Sequence, residues 1–133
     1  MLVRLWNFLK NLITKNMPKM KLNCVLEFAA AHFLTKYHGK CENLHGHNYR
    51  VVVTLEGEVG EDGMVQDYKE IKSIVKNNVI DKLDHTSLND VMGNPSSENL
   101  VVYIWDRIKA DLPMLAKVTV YETEDYYCEY EGK

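Results

Sequence analysis

The 133-residue sequence lacks the features of a disulfide scaffold and of a nucleic-acid-binding surface. Its three cysteines, Cys24, Cys41 and Cys128, are odd in number and widely spaced, which excludes a paired disulfide framework and a C-x-x-C zinc clip. Sixteen basic and 19 acidic residues leave a formal charge of -3 with no block of like charge, so we expect no nucleic-acid partner. A glycine-rich dinucleotide motif is also missing, so no nicotinamide or flavin is expected. The cysteine usage favours a reducing, cytoplasmic location.

The first 19 residues form an N-terminal extension that differs in pattern from the rest. Its apolar residues recur at helical spacing with basic residues between them; they are Leu2, Leu5, Trp6, Leu9, Leu12 and Ile13. We expect either a short amphipathic helix or a segment upstream of a start at Met17 or Met20. Charged residues interrupt the segment too often for a membrane span, so no membrane partner is expected.

Residues 20–133 are expected to form one domain with the element order ββααββ. A first strand ends near His32, and in a second strand Tyr49, Val51, Val53 and Leu55 alternate with polar positions. Capping by Asp67 starts a helix from about Tyr68 to Lys82, and Ser96 or Ser97 starts another that ends before Pro113. Two further strands surround a turn near Glu124 and Asp125. Together these elements predict an α+β fold, in which two helices cover one face of a four-stranded antiparallel sheet. The other face then needs cover, so oligomerisation is plausible.

Three histidines are candidate metal ligands. His45 and His47 are two apart in a strand, so their side chains project to one face with roughly 6 to 7 Å between their backbones. His32 joins them if the first two strands form a hairpin. Three neutral imidazoles with one open position are typical of a catalytic zinc site. The alternative is that they are polar residues at a strand entrance.

Five further residues are candidates for acid–base work or ligand binding. Cys41 precedes His45 by four residues, and a thiolate beside a divalent cation could act as a base, whereas Cys24 and Cys128 suit apolar filling. Glu42 is a candidate second base or a solvated loop carboxylate. Asp84 and His85 are adjacent and could form a proton relay or cap the preceding helix end. Glu122 follows Val118 and Val120 on one strand face, where a carboxylate needs a partner such as an amino-pyrimidine ring, unless it has already reached water.

Taken together, "FAAAHF", "CENLHGHNYRVVVTLEG", "LDHTSLND", "SSENLVVYIWDRI" and "VTVYETE" resemble the 6-pyruvoyl-tetrahydropterin synthase and 6-carboxytetrahydropterin synthase family, from about Lys21 to the C-terminus. The resemblance implies a tunnelling fold whose chains close a barrel as trimers, with two trimers stacked as a hexamer. It also implies zinc on His32, His45 and His47, Cys41 as base, Asp84 with His85 as relay, and Glu122 as pterin anchor.

The three residues between Cys41 and His45 resemble the bacterial 6-carboxytetrahydropterin synthases of queuosine synthesis. The implied reaction converts 7,8-dihydroneopterin triphosphate to 6-carboxytetrahydropterin, acetaldehyde and triphosphate. Glu42 directly after the cysteine also resembles a subgroup that acts on dihydroneopterin for folate synthesis, so a pyruvoyl-type or bifunctional enzyme is an alternative. A zinc-stabilised binding protein without turnover is the non-enzymatic alternative. Lys36, Lys40 and Arg50 are candidate phosphate contacts or ordinary surface charges.

Overall fold

The computed structural model describes residues 1–15 and 17–133, with the backbone alone for residues 11–15. The helices are α1 (Leu2–Lys15), α2 (Tyr68–Val75), α3 (Asp81–Leu83) and α4 (Ser97–Ile108). The strands are β1 (Lys19–His32), β2 (His45–Glu58), β3 (Thr86–Ser87), β4 (Leu115–Tyr121) and β5 (Tyr127–Tyr130). A π-helical segment, Lys76–Ile80, joins α2 to α3, and short 3-10 turns occupy Lys40–Glu42 and Leu88–Asp90.

The strands form one sheet in the order β3-β1-β2-β4-β5. β1 and β2 pair antiparallel from Lys19 opposite Glu58 to His32 opposite His45, and β4 and β5 continue the antiparallel pairing. The expected α+β fold with a largely antiparallel sheet is confirmed. The expected strand number is wrong by one, because β3 pairs parallel with the end of β1. Two residues are too few to show a strand pattern in the sequence.

One face of the sheet holds the core. The alternating residues of β2, namely Tyr49, Val51, Val53 and Leu55, are at most 1% exposed and face the side chains of α2 and α4. Burial of each such side chain contributes about 1.5–3 kcal/mol to folding. On the opposite face of β1, Val25 is 54% exposed, and its cross-strand neighbour Val52 is partly exposed. The core face therefore has its cover within the chain, whereas among the described residues the outer face of β1 is left exposed at Val25.

Both main helices begin where the capping residues are. The Asp67 side chain accepts a hydrogen bond from the Lys69 backbone N–H, and the Ser96 hydroxyl accepts one from the Asn99 N–H. The first helix differs from the regular one expected up to Lys82, because its middle turn is π-helical. There the Asn78 side-chain amide donates to the Ile74 carbonyl at 2.8 Å, and side-chain insertion of this kind is a recognised cause of irregular helix turns.

The N-terminal extension is helical over Leu2–Lys15. Its side chains from Met1 to Lys10 are all exposed, including Trp6 at 65%. Within the described residues, no helix combines the length and the apolar character that a membrane crossing requires.

Candidate metal centre

The hairpin of β1 and β2 brings the three histidines together at one end of the sheet. His32 lies directly opposite His45 in the strand register, and His47 follows two residues later on the same face. The three ring centroids lie 4.6 to 5.1 Å apart with edge-to-face orientation. His32 is 1% exposed, so its imidazole depends on partners within the protein.

Backbone carbonyls fix the orientation of two of the rings. Nδ1 of His32 donates to the Pro95 carbonyl oxygen at 2.6 Å, and Nδ1 of His45 donates to the Asn43 carbonyl oxygen at 2.7 Å. Since a carbonyl only accepts, each Nδ1 carries the proton, and the Nε2 of each neutral ring presents a lone pair. In a metal-binding histidine, the ring nitrogen that does not bind the metal usually donates a hydrogen bond of this kind, which fixes the orientation of the ring.

The two Nε2 atoms of His32 and His45 face each other at 3.0 Å. Two lone pairs at this distance repel unless a proton or a cation lies between them. Ligands of a tetrahedral zinc ion with bonds of 2.0–2.1 Å are about 3.3 Å apart, close to the spacing in this cluster. The residues therefore fit a zinc ion, which His32, His45 and His47 would hold through imidazole nitrogens.

Glu122 is the fourth member of this cluster. One ligand atom from each of His32, His45, His47 and Glu122 lies within 4.8 Å of all the others. Oε1 of Glu122 is 3.1 Å from Nε2 of His47, and Oε2 accepts a hydrogen bond from the Ser97 hydroxyl at 2.8 Å. The resemblance assigns this carboxylate to the pterin, whereas the structure places it beside the His47 imidazole.

Burial sets the protonation of two groups here. It lowers the pKa of His47, against the opposing effect of Glu122, while His32 and His45 lower it further. His47 therefore favours its neutral form, which binds metals. Burial also raises the pKa of Tyr49, whose ring lies edge-on to His32 and His47, so its phenol stays neutral. The Tyr49 hydroxyl has no hydrogen-bond partner among the described residues.

Asp84 and His85 lie next to the cluster on a turn that is bound to β1. The Ala29 backbone N–H donates to Asp84 Oδ1 at 2.9 Å, and the His85 N–H donates to the Ala29 carbonyl at 2.7 Å. Asp84 Oδ2 is 3.6 Å from His85 Nε2, which is longer than a hydrogen bond. His85 has a φ of 57°, a strained conformation that clusters at functional sites. Asp84 thus anchors the turn more directly than it orients the imidazole.

A cavity of about 690 Å³ adjoins these groups, a volume typical of small-molecule sites. Its lining includes His47, Arg50, Asp84 and Glu122. A second hollow beside it is lined by His85, His47 and Gly46. A Cβ on Gly46 would meet the Ala30 carbonyl only at 3.7 Å, so the strand pairing itself does not demand glycine there. A side chain at Gly46 would instead extend into the two hollows.

Cys41 and Glu42 lie apart from the four-residue cluster, on the 3-10 turn that joins β1 to β2. The Cys41 carbonyl accepts from the Leu34 N–H at 2.7 Å, which closes this loop onto the end of β1. Glu42 is 3.7 Å from His38, whose side chain is 98% exposed. The structure therefore places both candidate bases near the histidine strands without bringing them into the cluster.

The candidate phosphate contacts divide into two kinds. Arg50 lines the cavity, and its guanidinium stacks over the Tyr121 ring at 4.2 Å. Lys36 and Lys40 are exposed on the loop before β2. Arg50 is thus the one of the three that the fold directs to the cavity.

Three contributors to the cluster were not expected from the sequence. They are the carbonyls of Pro95 and Asn43 and the hydroxyl of Ser97. Ser97 follows the capping residue of α4, which is a signal for a helix start and not for a site. A carbonyl has no side-chain signature, so only the packing of loops against β1 could show the first two.

Comparisons with known proteins find related sequences over most of the chain. The family model of 6-pyruvoyl tetrahydropterin synthase matches residues 21–133. A 6-pyruvoyl tetrahydrobiopterin synthase of Dictyostelium discoideum is 43% identical over 105 residues, which cover 74% of this chain and 78% of that protein. A 6-carboxy-5,6,7,8-tetrahydropterin synthase of Haemophilus influenzae is 30% identical, covering 84% of this chain and 98% of that protein.

The chain is also similar to a protein named for another activity and to a solved structure. A dihydroneopterin monophosphate aldolase of Pyrococcus furiosus is 37% identical over 93 residues, covering 68% of this chain and 80% of that protein. The structure of the Caenorhabditis elegans 6-pyruvoyl tetrahydropterin synthase superposes with a TM-score of 0.81 at 33% identity. This superposition covers 88% of this chain and 98% of the other.

Proposed function

The chain belongs to the 6-pyruvoyl tetrahydropterin synthase family, and on that premise we propose that it is a zinc-dependent 6-carboxytetrahydropterin synthase. Its substrate would be 7,8-dihydroneopterin triphosphate, and its products 6-carboxytetrahydropterin, acetaldehyde and triphosphate. The observation that supports this most strongly is the cluster of three imidazoles and one carboxylate beside a cavity of about 690 Å³. The reaction would supply queuosine synthesis.

The pterin ring enters the cavity with its amino-pyrimidine edge on Glu122. A carboxylate matches the two adjacent N–H donors of that edge with two acceptor oxygens. Ser97 holds Oε2 of Glu122, and this hydrogen bond limits the rotation of the carboxylate. Arg50 is the candidate contact for the triphosphate tail, because its guanidinium reaches the same cavity.

His32, His45 and His47 would hold the zinc ion, which supplies Lewis acidity toward the hydroxyl oxygens of the substrate side chain. Cys41, as thiolate, removes a carbon-bound proton of that side chain, and His85 returns a proton. Loss of triphosphate and internal redox give a pyruvoyl-level compound without an external oxidant. Addition of one water then splits off acetaldehyde and leaves the carboxyl group on the ring.

Incubation of zinc-loaded protein with 7,8-dihydroneopterin triphosphate, followed by mass identification of the product, tests this proposal. We expect 6-carboxytetrahydropterin from the wild type and none from Cys41→Ala. Cys24→Ala is the matched control, because it removes a thiol on β1 away from the histidines, and it should keep product formation. A pyruvoyl product as the end point, or full activity in Cys41→Ala, would refute the assignment.

A second candidate reaction is cleavage of dihydroneopterin to 6-hydroxymethyl-dihydropterin. Glu42 is its candidate base, since it adjoins Cys41 and, within the part of the chain that the structure describes, its ion-pair partner is the exposed His38 at 3.7 Å. The aldolase name of the Pyrococcus furiosus relative favours testing it. Glu42→Ala should abolish hydroxymethyl-dihydropterin formation alone, whereas Glu61→Ala on an exposed loop should change nothing. Loss of both products together would argue against two separate bases.

We also propose that the chain works as a homo-oligomer, with a hexamer of two trimers as the expected form. The half-exposed Val25 and the partly exposed Val52 beside it, both on the outer face of the sheet, support a partner on that face. Sedimentation equilibrium of the purified protein measures the mass directly. A monomer at micromolar concentration would contradict this part of the proposal.

A further inference from the structure

The position of Glu122 raises a conflict between two roles. A zinc site that performs chemistry keeps one coordination position open, whereas a site closed by four protein ligands is typically structural. Here the ligand atoms of three histidines and Glu122 lie within 4.8 Å of one another, which is compact enough for all four to bind one ion. The same carboxylate is the proposed anchor of the pterin ring.

The contact between Glu122 and His47 points to a shared cation. Their atoms Oε1 and Nε2 are 3.1 Å apart, yet Nε2 of His47 is buried and makes no hydrogen bond with any described residue. An acceptor oxygen and an imidazole nitrogen that approach without a hydrogen bond are satisfied when both bind one cation. The Nε2 atoms of His32 and His45, which face each other at 3.0 Å, belong to the same cluster.

The hydrogen bonds of Glu122 keep its carboxylate beside the histidines. Its backbone N–H donates to the Tyr126 carbonyl at 3.0 Å, which fixes the main chain just after β4. Oε2 is bound by Ser97 at 2.8 Å, so Oε1 remains available for another partner. The side chain is only 27% exposed, and an unpaired carboxylate at such a position would be costly.

We propose that Glu122 is the fourth zinc ligand of the enzyme without substrate, and that the pterin ring opens the site by drawing this carboxylate onto its own N–H groups. The inference rests on the proposed function, because it uses zinc and the pterin anchor. In the resting enzyme the carboxylate keeps water and stray anions from the ion. On binding of the substrate, one position becomes free next to the cavity where the side-chain hydroxyls lie.

Metal affinity gives the first test, measured by competition with a chromophoric chelator at pH 7.5. Glu122→Gln and Glu122→Ala should weaken zinc binding at least about tenfold, the smallest loss typical of altered metal-site partners. Glu124→Gln is the matched control, since Glu124 lines the same cavity but is not in the cluster, and it should leave the affinity unchanged. Equal affinity of the wild type and both Glu122 variants would overturn the inference.

Cobalt substitution gives the second test through a spectroscopic readout. Azide should leave the visible spectrum of the wild-type cobalt protein unchanged and should alter that of Glu122→Ala. Unsubstituted pterin, which has no side chain to reach the ion, should by itself shift the wild-type spectrum and allow azide to bind. If fluorescence titration shows that pterin binds while the cobalt spectrum does not change, this inference is overturned and the proposed function still stands. A wild type that binds neither metal nor pterin would instead refute the proposed function.

Discussion

Zinc should stabilise the folded chain strongly, and the loss of one imidazole should remove most of that effect. The perturbation is His45→Ala, which deletes one of the two Nε2 atoms that face each other at 3.0 Å. Free zinc at 100 times its Kd adds about 2.7 kcal/mol to the free energy of unfolding. At about 4 °C per kcal/mol for a domain of this size, the melting temperature of the wild type should rise by about 11 °C.

The assay is thermal unfolding followed by circular dichroism, first with chelator and then with buffered zinc. The metal-free His45→Ala variant should not melt lower than the metal-free wild type, because it also removes the repulsion between two lone pairs. His38→Ala is the control, since that side chain is 98% exposed and outside the cluster, and it should keep the full shift. An equal zinc shift in His45→Ala, or none in the wild type, would refute the metal site.

Three further predictions concern single groups. Because burial lowers the pKa of His47, the unfolded chain takes up its proton first as the pH falls below about 6.5. The metal-free protein should therefore lose stability as the pH falls below about 6.5, as read from urea midpoints, and His47→Gln should flatten that slope. Burial also raises the pKa of the Cys24 and Cys128 thiols, so their alkylation by iodoacetamide at pH 8 should be slower than that of free cysteine, as peptide mapping would show. Rates equal to the free thiol would contradict this. Ser96→Ala should cost about 1 kcal/mol by removing the cap of α4, while Ser96→Asp should keep the urea midpoint near that of the wild type.

Much of the fold could be predicted from the sequence because its signals are local. The alternation of Tyr49, Val51, Val53 and Leu55 with polar residues corresponds to a strand with one buried face, and Asp67 and Ser96 mark helix starts. The resemblance to the pterin synthase family is likewise confirmed by the family match over residues 21–133. These features depend on a residue and its close neighbours, which is the range that a pattern can report.

The features that the sequence did not reveal depend on contacts between distant segments. β3 forms because the turn at Asp84 and His85 is hydrogen-bonded to Ala29 of β1. Asp84 and Ala29 are 55 residues apart in the sequence. The π-helical turn at Lys76–Ile80 adds one residue to a helix whose apolar spacing looks regular. No characteristic residue marks either feature in the sequence, so neither could be predicted before the tertiary contacts were known.

The same division applies to the candidate metal centre. The sequence by itself determined which chemical groups are present, namely three imidazoles, a thiol and several carboxylates. Only the tertiary structure decided which of them meet. The β1–β2 register sets His32 against His45, β4 brings Glu122 to His47, and Cys41 stays on its loop. The physical reason is that strand register and chain closure set distances of a few ångströms, whereas spacing along the chain fixes only which face a side chain occupies.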